Sequence, residues 1–79
     1  MPEIDVFSRR GCHLCELLIE ELLPIVDGRA SVSVHDVDTR PEWIASYGDR
    51  VPVVELGGRL LCQFRLDAEA VRRALADAE

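Results

Sequence analysis

Cys12 and Cys15, in the run RRGCHLCELL, are the residues whose type and spacing point most directly to chemistry in this 79-residue chain. Two thiols so placed can hold half of a metal site, close a structural disulfide, or make and break disulfides in other molecules. A closed zinc site takes about four ligands. Beyond the pair, the chain offers Cys62, His13 and His35 with no second paired motif. A permanent bond across so short a loop removes little entropy from the unfolded chain, so it suits exchange better than stapling. The total of three cysteines, an odd number, argues against a closed disulfide framework.

Exchange needs a thiolate, and position can supply one. Cys12 stands where a strand gives way to a helix, so unpaired backbone N–H groups and the positive end of the helix dipole favour its ionised form. A free cysteine titrates near about 8.5, and a helix N-terminus can bring that to roughly 3.5–7.5. Cys15, one turn deeper, is then the less exposed thiol, placed to resolve a mixed disulfide formed on Cys12. His13 can meet a substrate or lower the Cys12 pKa, or be an ordinary exposed histidine of the first turn. Arg9 and Arg10 can assist the thiolate or simply be solvated, and Arg50 can bind a carboxylate or be solvated in its loop. Pro52, in RVPVV, opens the first arm of a hairpin where its loop could face Cys12.

The elements that must position these residues are legible in outline. Ile4 to Phe7 reads as a strand ending at Ser8 to Gly11. Leu14, Leu17, Leu18, Leu22 and Ile25 repeat at helical spacing, with Pro24 expected to kink or shorten the helix and Gly28 to end it. SVSVHDV alternates as a second strand to about Asp36, with His35 on the surface. Thr39 and Glu42 match a capping box, and Pro41 suits the first turn of a short helix whose Trp43 and Tyr47 pack into the core. Gly48 ends it. Val53 to Leu56 and Arg59 to Phe64 flank Gly57-Gly58 as a hairpin, with Cys62 as a buried small hydrophobe or a third redox thiol. Asp67 caps a last helix with Val71, Ala74, Leu75 and Ala78 on one face and Leu66 stapled onto Val71. The order is β-α-β-α-β-β-α, an α/β chain with a four-stranded mixed sheet, parallel in its first pair and antiparallel in its hairpin.

Composition bounds the function. One small domain spanning 1–79 is expected from the length, with hydrophobic residues at 48% and charged residues at 30%. Nine arginines, no lysine and fifteen acidic residues give a net charge of −6, which lacks the positive field that nucleic-acid binding requires. The apolar runs are too short for a membrane span and the N-terminus lacks a signal-peptide pattern, so the expectation is a cytoplasmic monomer without nucleic-acid or membrane partners. There thiols are kept reduced, which favours catalytic or metal-binding cysteines.

With CHLC at a strand-to-helix junction, Val-Pro before a hairpin and a closing helix in order, the chain resembles the thioredoxin superfamily and, by its length, the glutaredoxin-like branch. CHLC, DVDTRPEW, YGDRVPVV and LCQFRLDAEAV are similar to small glutaredoxin-like domains of uncharacterised function, over essentially the whole chain. The resemblance implies a thioredoxin-like fold with helices on both sheet faces. It implies Cys12 as nucleophile, Cys15 as resolving thiol, and Pro52 as a cis-proline whose neighbour Val51 pairs through its backbone with an extended substrate. Where glutaredoxins carry CPYC, a Thr before Val-Pro and a second glycine pair, this chain has CHLC, Arg50 and Cys62-Gln63. Glutathione therefore enters as a candidate substrate or reductant beside protein and low-molecular-weight disulfides.

Two readings follow. One is a thiol–disulfide oxidoreductase whose only redox group is the Cys12–Cys15 pair, with no metal and no bound cofactor. The other is a redox-inactive or weakly active module that holds an extended peptide or small thiol beside Pro52. A pure binder has no need of both thiols, and the lost glutathione-type residues keep the second reading in play.

Overall fold

The computed structural model describes residues 1–78. Strand β1 (Glu3–Ser8) leads to helix α1 (His13–Val26), strand β2 (Ser31–Asp36), a single 3-10 turn (Val37–Thr39) and helix α2 (Pro41–Tyr47). Strands β3 (Val53–Leu56) and β4 (Arg59–Gln63) and helix α3 (Ala68–Ala78) complete the chain. The four strands lie in the order β2-β1-β3-β4, with β1 parallel to β2 and antiparallel to β3, and β3 antiparallel to β4. This is the mixed α/β sheet that the strand, helix and glycine-turn pattern implies.

Alternation along the strands separates two cores. Ile4, Val6 and Val54 point to one face, where they meet Leu18, Leu22 and Val26 of α1 and Val71 and Leu75 of α3. Phe7 and Val53 point to the other, where they meet Val37 with Trp43 and Tyr47 of α2. Phe7 stacks on Tyr47 with ring centroids 4.0 Å apart and meets Trp43 edge-on at 5.6 Å, so the two α2 aromatics are packing residues. Helices therefore cover both faces of the sheet.

Four local expectations are corrected. The buried stripe of α1 is Cys15, Leu18, Leu22 and Val26, which turns Leu14 and Leu17 outward although their spacing fits an apolar face. Pro24 does not shorten α1: the helix runs on to Val26, because Asp27 N–H still donates to Leu23 C=O at 3.1 Å and Val26 is locked in the core, and the left-handed Gly28 follows its end as expected. The capping box on α2 does not form. Buried Val37 nucleates the 3-10 turn, Thr39 Oγ1 donates to Asp36 C=O at 2.7 Å, and α2 starts after Arg40 without a side-chain cap. His35 is not a free surface residue. Its Nε2 lies 2.8 Å from the Asp5 carboxylate, its side chain is 28% exposed, and its ring stacks on Phe7.

The last helix follows its sequence signals except at Ala78, which is exposed: its buried face is Val71, Ala74 and Leu75. Ala70 N–H donates to the Asp67 carboxylate at 3.1 Å, and Leu66 packs against the cluster that contains Val71. Among the described residues no helix is long and apolar enough to cross a membrane.

Candidate active site

The site is built where β1 ends. Phe7 pairs with Val53, so the chain leaving β1 toward Cys12 and the chain entering β3 through Pro52 lie at the same end of neighbouring strands. Between them, Cys12 N–H donates to Arg9 C=O at 3.2 Å, which folds the loop back onto itself before the helix begins. Cys12 is the N-cap of α1, with extended backbone angles, and its sulfur accepts from Cys15 N–H at 3.2 Å. A thiol in a cap position takes the place of the usual Ser, Thr, Asp or Asn oxygen, and the N–H aimed at it stabilises negative charge on the sulfur.

Cys12 and Cys15 are joined as a disulfide with their α-carbons 5.2 Å apart. The two sulfurs differ in access. Cys12 is half-buried, whereas Cys15 is 2% exposed on the inner stripe of α1. An incoming reagent therefore meets Cys12 first. His13 is the first residue of α1 and faces solvent.

The opposite wall is the segment before β3. The Val51–Pro52 peptide bond is cis and Pro52 is buried. Pro52 C=O accepts from Phe64 N–H at 2.8 Å, which ties this segment to the turn after β4. Val51 is half-buried, and among the described residues its N–H and C=O make no backbone hydrogen bond.

Arginines brace this end of the molecule. Arg9 grips the Asp38 carboxylate through Nε at 3.0 Å and a terminal nitrogen at 3.1 Å, and donates to Gly48 C=O at 3.2 Å. The hydrogen bond and charge of Asp38 hold its pKa above the ordinary arginine value. Arg9 thus is not free in solvent; it ties the loop before Cys12 to the 3-10 turn and to the end of α2. Arg50 donates to Ser46 C=O at 2.9 and 3.2 Å and to Gln63 Oε1 at 2.9 Å, and its guanidinium lies 5.5 Å from the Tyr47 ring centroid. It satisfies an orphan carbonyl at the end of α2 and ties that end to β4. The contacts of Arg9 with Asp38 and of Arg50 with Gln63 span 29 and 13 positions and have no signature in the sequence.

Cys62 is half-buried against the α1–α3 core. Burial pushes its pKa up, only partly opposed by a backbone hydrogen bond at Asp67, so the thiol stays protonated and poorly nucleophilic at neutral pH.

A family model described as Glutaredoxin-like domain (DUF836) matches residues 3–76. An uncharacterized protein of Mycobacterium tuberculosis is 30% identical over 81 residues, covering 95% of this chain and 84% of its own length. The X-ray structure of the structural genomics target protein XcR50 from X. campestris superposes with a TM-score of 0.70 at 30% identity, over 96% of this chain and 97% of that one. Glutaredoxin C1 from Populus tremula x tremuloides superposes with a TM-score of 0.57 at 25% identity, over 96% of this chain and 85% of that one.

Proposed function

The chain belongs to the glutaredoxin-like domain family, and on that premise we propose that it is a small thiol–disulfide oxidoreductase working through Cys12 and Cys15. The observation that carries this reading is the paired sulfurs at the start of α1, the outer one receiving the Cys15 N–H and the inner one closed off by the core. In the reduced protein the Cys12 thiolate attacks one sulfur of a substrate R–S–S–R′. The Cys12–S–S–R bond forms, the S–S bond of the substrate breaks, and R′–S⁻ leaves with the electron pair. Cys15, losing its proton to solvent or to the departing thiolate, then attacks the Cys12 sulfur. The intramolecular disulfide closes and R–S⁻ departs, so the substrate gains two electrons and the protein becomes the oxidised form.

Return to the dithiol needs an external thiol or dithiol reductant, for which glutathione is one candidate. The cycle itself calls for no metal and no bound organic cofactor. Substrates are protein or low-molecular-weight disulfides whose extended backbone pairs with the unpartnered Val51 N–H and C=O beside Pro52. His13 lies on the open side of the site, and Arg50 serves the site by holding the Pro52 segment against β4. Such a reductant belongs where thiols are kept reduced, which is the cytoplasm.

The test is a redox equilibrium. The full chain is brought to equilibrium with graded ratios of reduced to oxidised glutathione, and in parallel with reduced thioredoxin. The thiols are then trapped and counted by mass. A reversible two-electron transition confined to Cys12 and Cys15 is expected; a pair that stays closed, or open, at every ratio in both series would overturn the proposal.

A further inference from the structure

Phe64 is held in a conformation that neither its chemistry nor its burial explains. Its φ is +67°, the left-handed region that residues with a β-carbon avoid, and it is the one non-glycine residue there among those described. Two hydrogen bonds fix it: Phe64 N–H to Pro52 C=O and, across the three-residue turn, Arg65 N–H to Gln63 C=O, both 2.8 Å. Glycine would adopt this turn at no steric cost. An aromatic forced into it would normally be buried in return, yet Phe64 is 44% exposed. Backbone strain kept without burial is characteristic of binding and active sites.

The exposed ring does not stand alone. Leu14, between the two cysteines, and Leu17, one turn on, are 42% and 44% exposed. Together with Phe64 and Leu66 they line a groove of about 330 Å³, to which Glu21 and Arg65 add one carboxylate and one guanidinium. Two of its lining residues belong to the two halves of the site: Leu14 stands between the cysteines on α1, and Phe64 N–H donates to Pro52 C=O on the other wall. Its volume is at the small end of ligand pockets, about 300–1,000 Å³, which suits one or two side chains. Glutathione, with two carboxylates and an ammonium group, would meet the exposed side chains of Leu14, Leu17 and Phe64 and two charges that offset each other.

We propose that this groove receives the apolar side chain that flanks the cysteine in a peptide or protein disulfide, and that Phe64 is a specificity-determining residue for it. The inference rests on the oxidoreductase reading and narrows its substrate class: disulfides with a bulky apolar neighbour, in preference to glutathione disulfide. The chemistry of the exchange is unchanged, with the dithiol losing two electrons and the substrate disulfide gaining them.

The test uses the full chain, pre-reduced and freed of reductant, mixed in single turnover with three disulfides. Two are symmetric peptide disulfides that differ only in the residue beside the cysteine, leucine in one and serine in the other, and the third is glutathione disulfide. Samples are acid-quenched and their masses read. The native chain is expected to react about tenfold faster with the leucine peptide than with the serine peptide, the discrimination a small apolar pocket provides. Phe64→Gly and Leu17→Ser are each expected to bring that ratio close to one. The ratio is internal to each variant, so a general loss of activity does not move it, and thermal unfolding confirms that each variant is folded. Equal rates of the native chain on both peptides, or a ratio unchanged in both variants, overturns the inference while leaving the oxidoreductase reading intact. So does preference for glutathione disulfide, or a dimer of the native chain that Phe64→Gly dissociates, since each assigns the groove another occupant. Failure of the folded native chain to reduce any of the three disulfides overturns the oxidoreductase reading and, with it, the inference.

Discussion

Cys62 and Cys12 are chemically the same side chain, and their surroundings set them apart. Cys12 sits at a helix N-terminus with an N–H aimed at its sulfur; Cys62 lies against the core with its pKa pushed up by burial. Cys62 should therefore react slowly with a maleimide in the native protein and rapidly once the chain is unfolded, as followed by mass. Its titration also sets a sign for stability. The unfolded chain releases this proton near about pH 8.5, whereas the folded chain holds it to higher pH. Above that value the unfolded state binds fewer protons than the native one, so stability is fully present below about pH 8.5 and falls as pH rises through the raised pKa. Cys62→Ala should flatten that alkaline decline in urea midpoints. At this scale the pairing of Cys12 with Cys15 and the place of Pro52 just before β3 are legible in the sequence, because the CxxC spacing and the turn and strand signals around Pro52 are local. Arg9 with Asp38, His35 with Asp5 and Arg50 with Gln63 are not, because 29, 30 and 13 positions separate the partners and only the folded sheet brings them together.

The hairpin and α2 show what elements contribute. Gly57 and Gly58 have φ of +59° and +84°, the pair of left-handed residues that a two-residue turn between antiparallel strands demands. Gly57→Ala or Gly58→Ala should each cost about 1–2 kcal/mol in chemical denaturation. Helix α2 contains no fully buried residue and is held by its aromatics and by Tyr47 Oη donating to the Glu55 carboxylate at 3.1 Å. Burial, followed by that hydrogen bond, raises the Tyr47 pKa. Tyr47→Phe should cost about 1 kcal/mol near neutral pH, again by denaturation midpoint. The glycine turn, the α3 cap and the two parallel strands were legible because local chemistry decides them. The capping box on α2 misled because buried Val37 imposes a 3-10 turn one step earlier, and the register of α1 misled because Leu14 and Leu17 share the spacing of the core leucines but face the groove beside the cysteines.

At the scale of the whole molecule, the sheet puts the ends of β1 and β3 side by side while the α1–α3 core fixes the axis of the helix that carries both cysteines. Leu22, fully buried in that core, ties the site to global stability, so Leu22→Ala should cost about 2–5 kcal/mol. The same architecture leaves the two sulfurs unequally exposed, and the unequal roles proposed for them are tested most directly by trapping. Reduced Cys15→Ser is incubated with a disulfide substrate near neutral pH and the products are separated without reductant. On the proposed reading, in which Cys12 attacks and Cys15 resolves, Cys15→Ser should accumulate a stable mixed disulfide on Cys12, and Cys12→Ser should form none under the same conditions. Capture by Cys12→Ser with none by Cys15→Ser would reverse the roles, and full multiple-turnover reduction by both variants would contradict the dithiol mechanism outright.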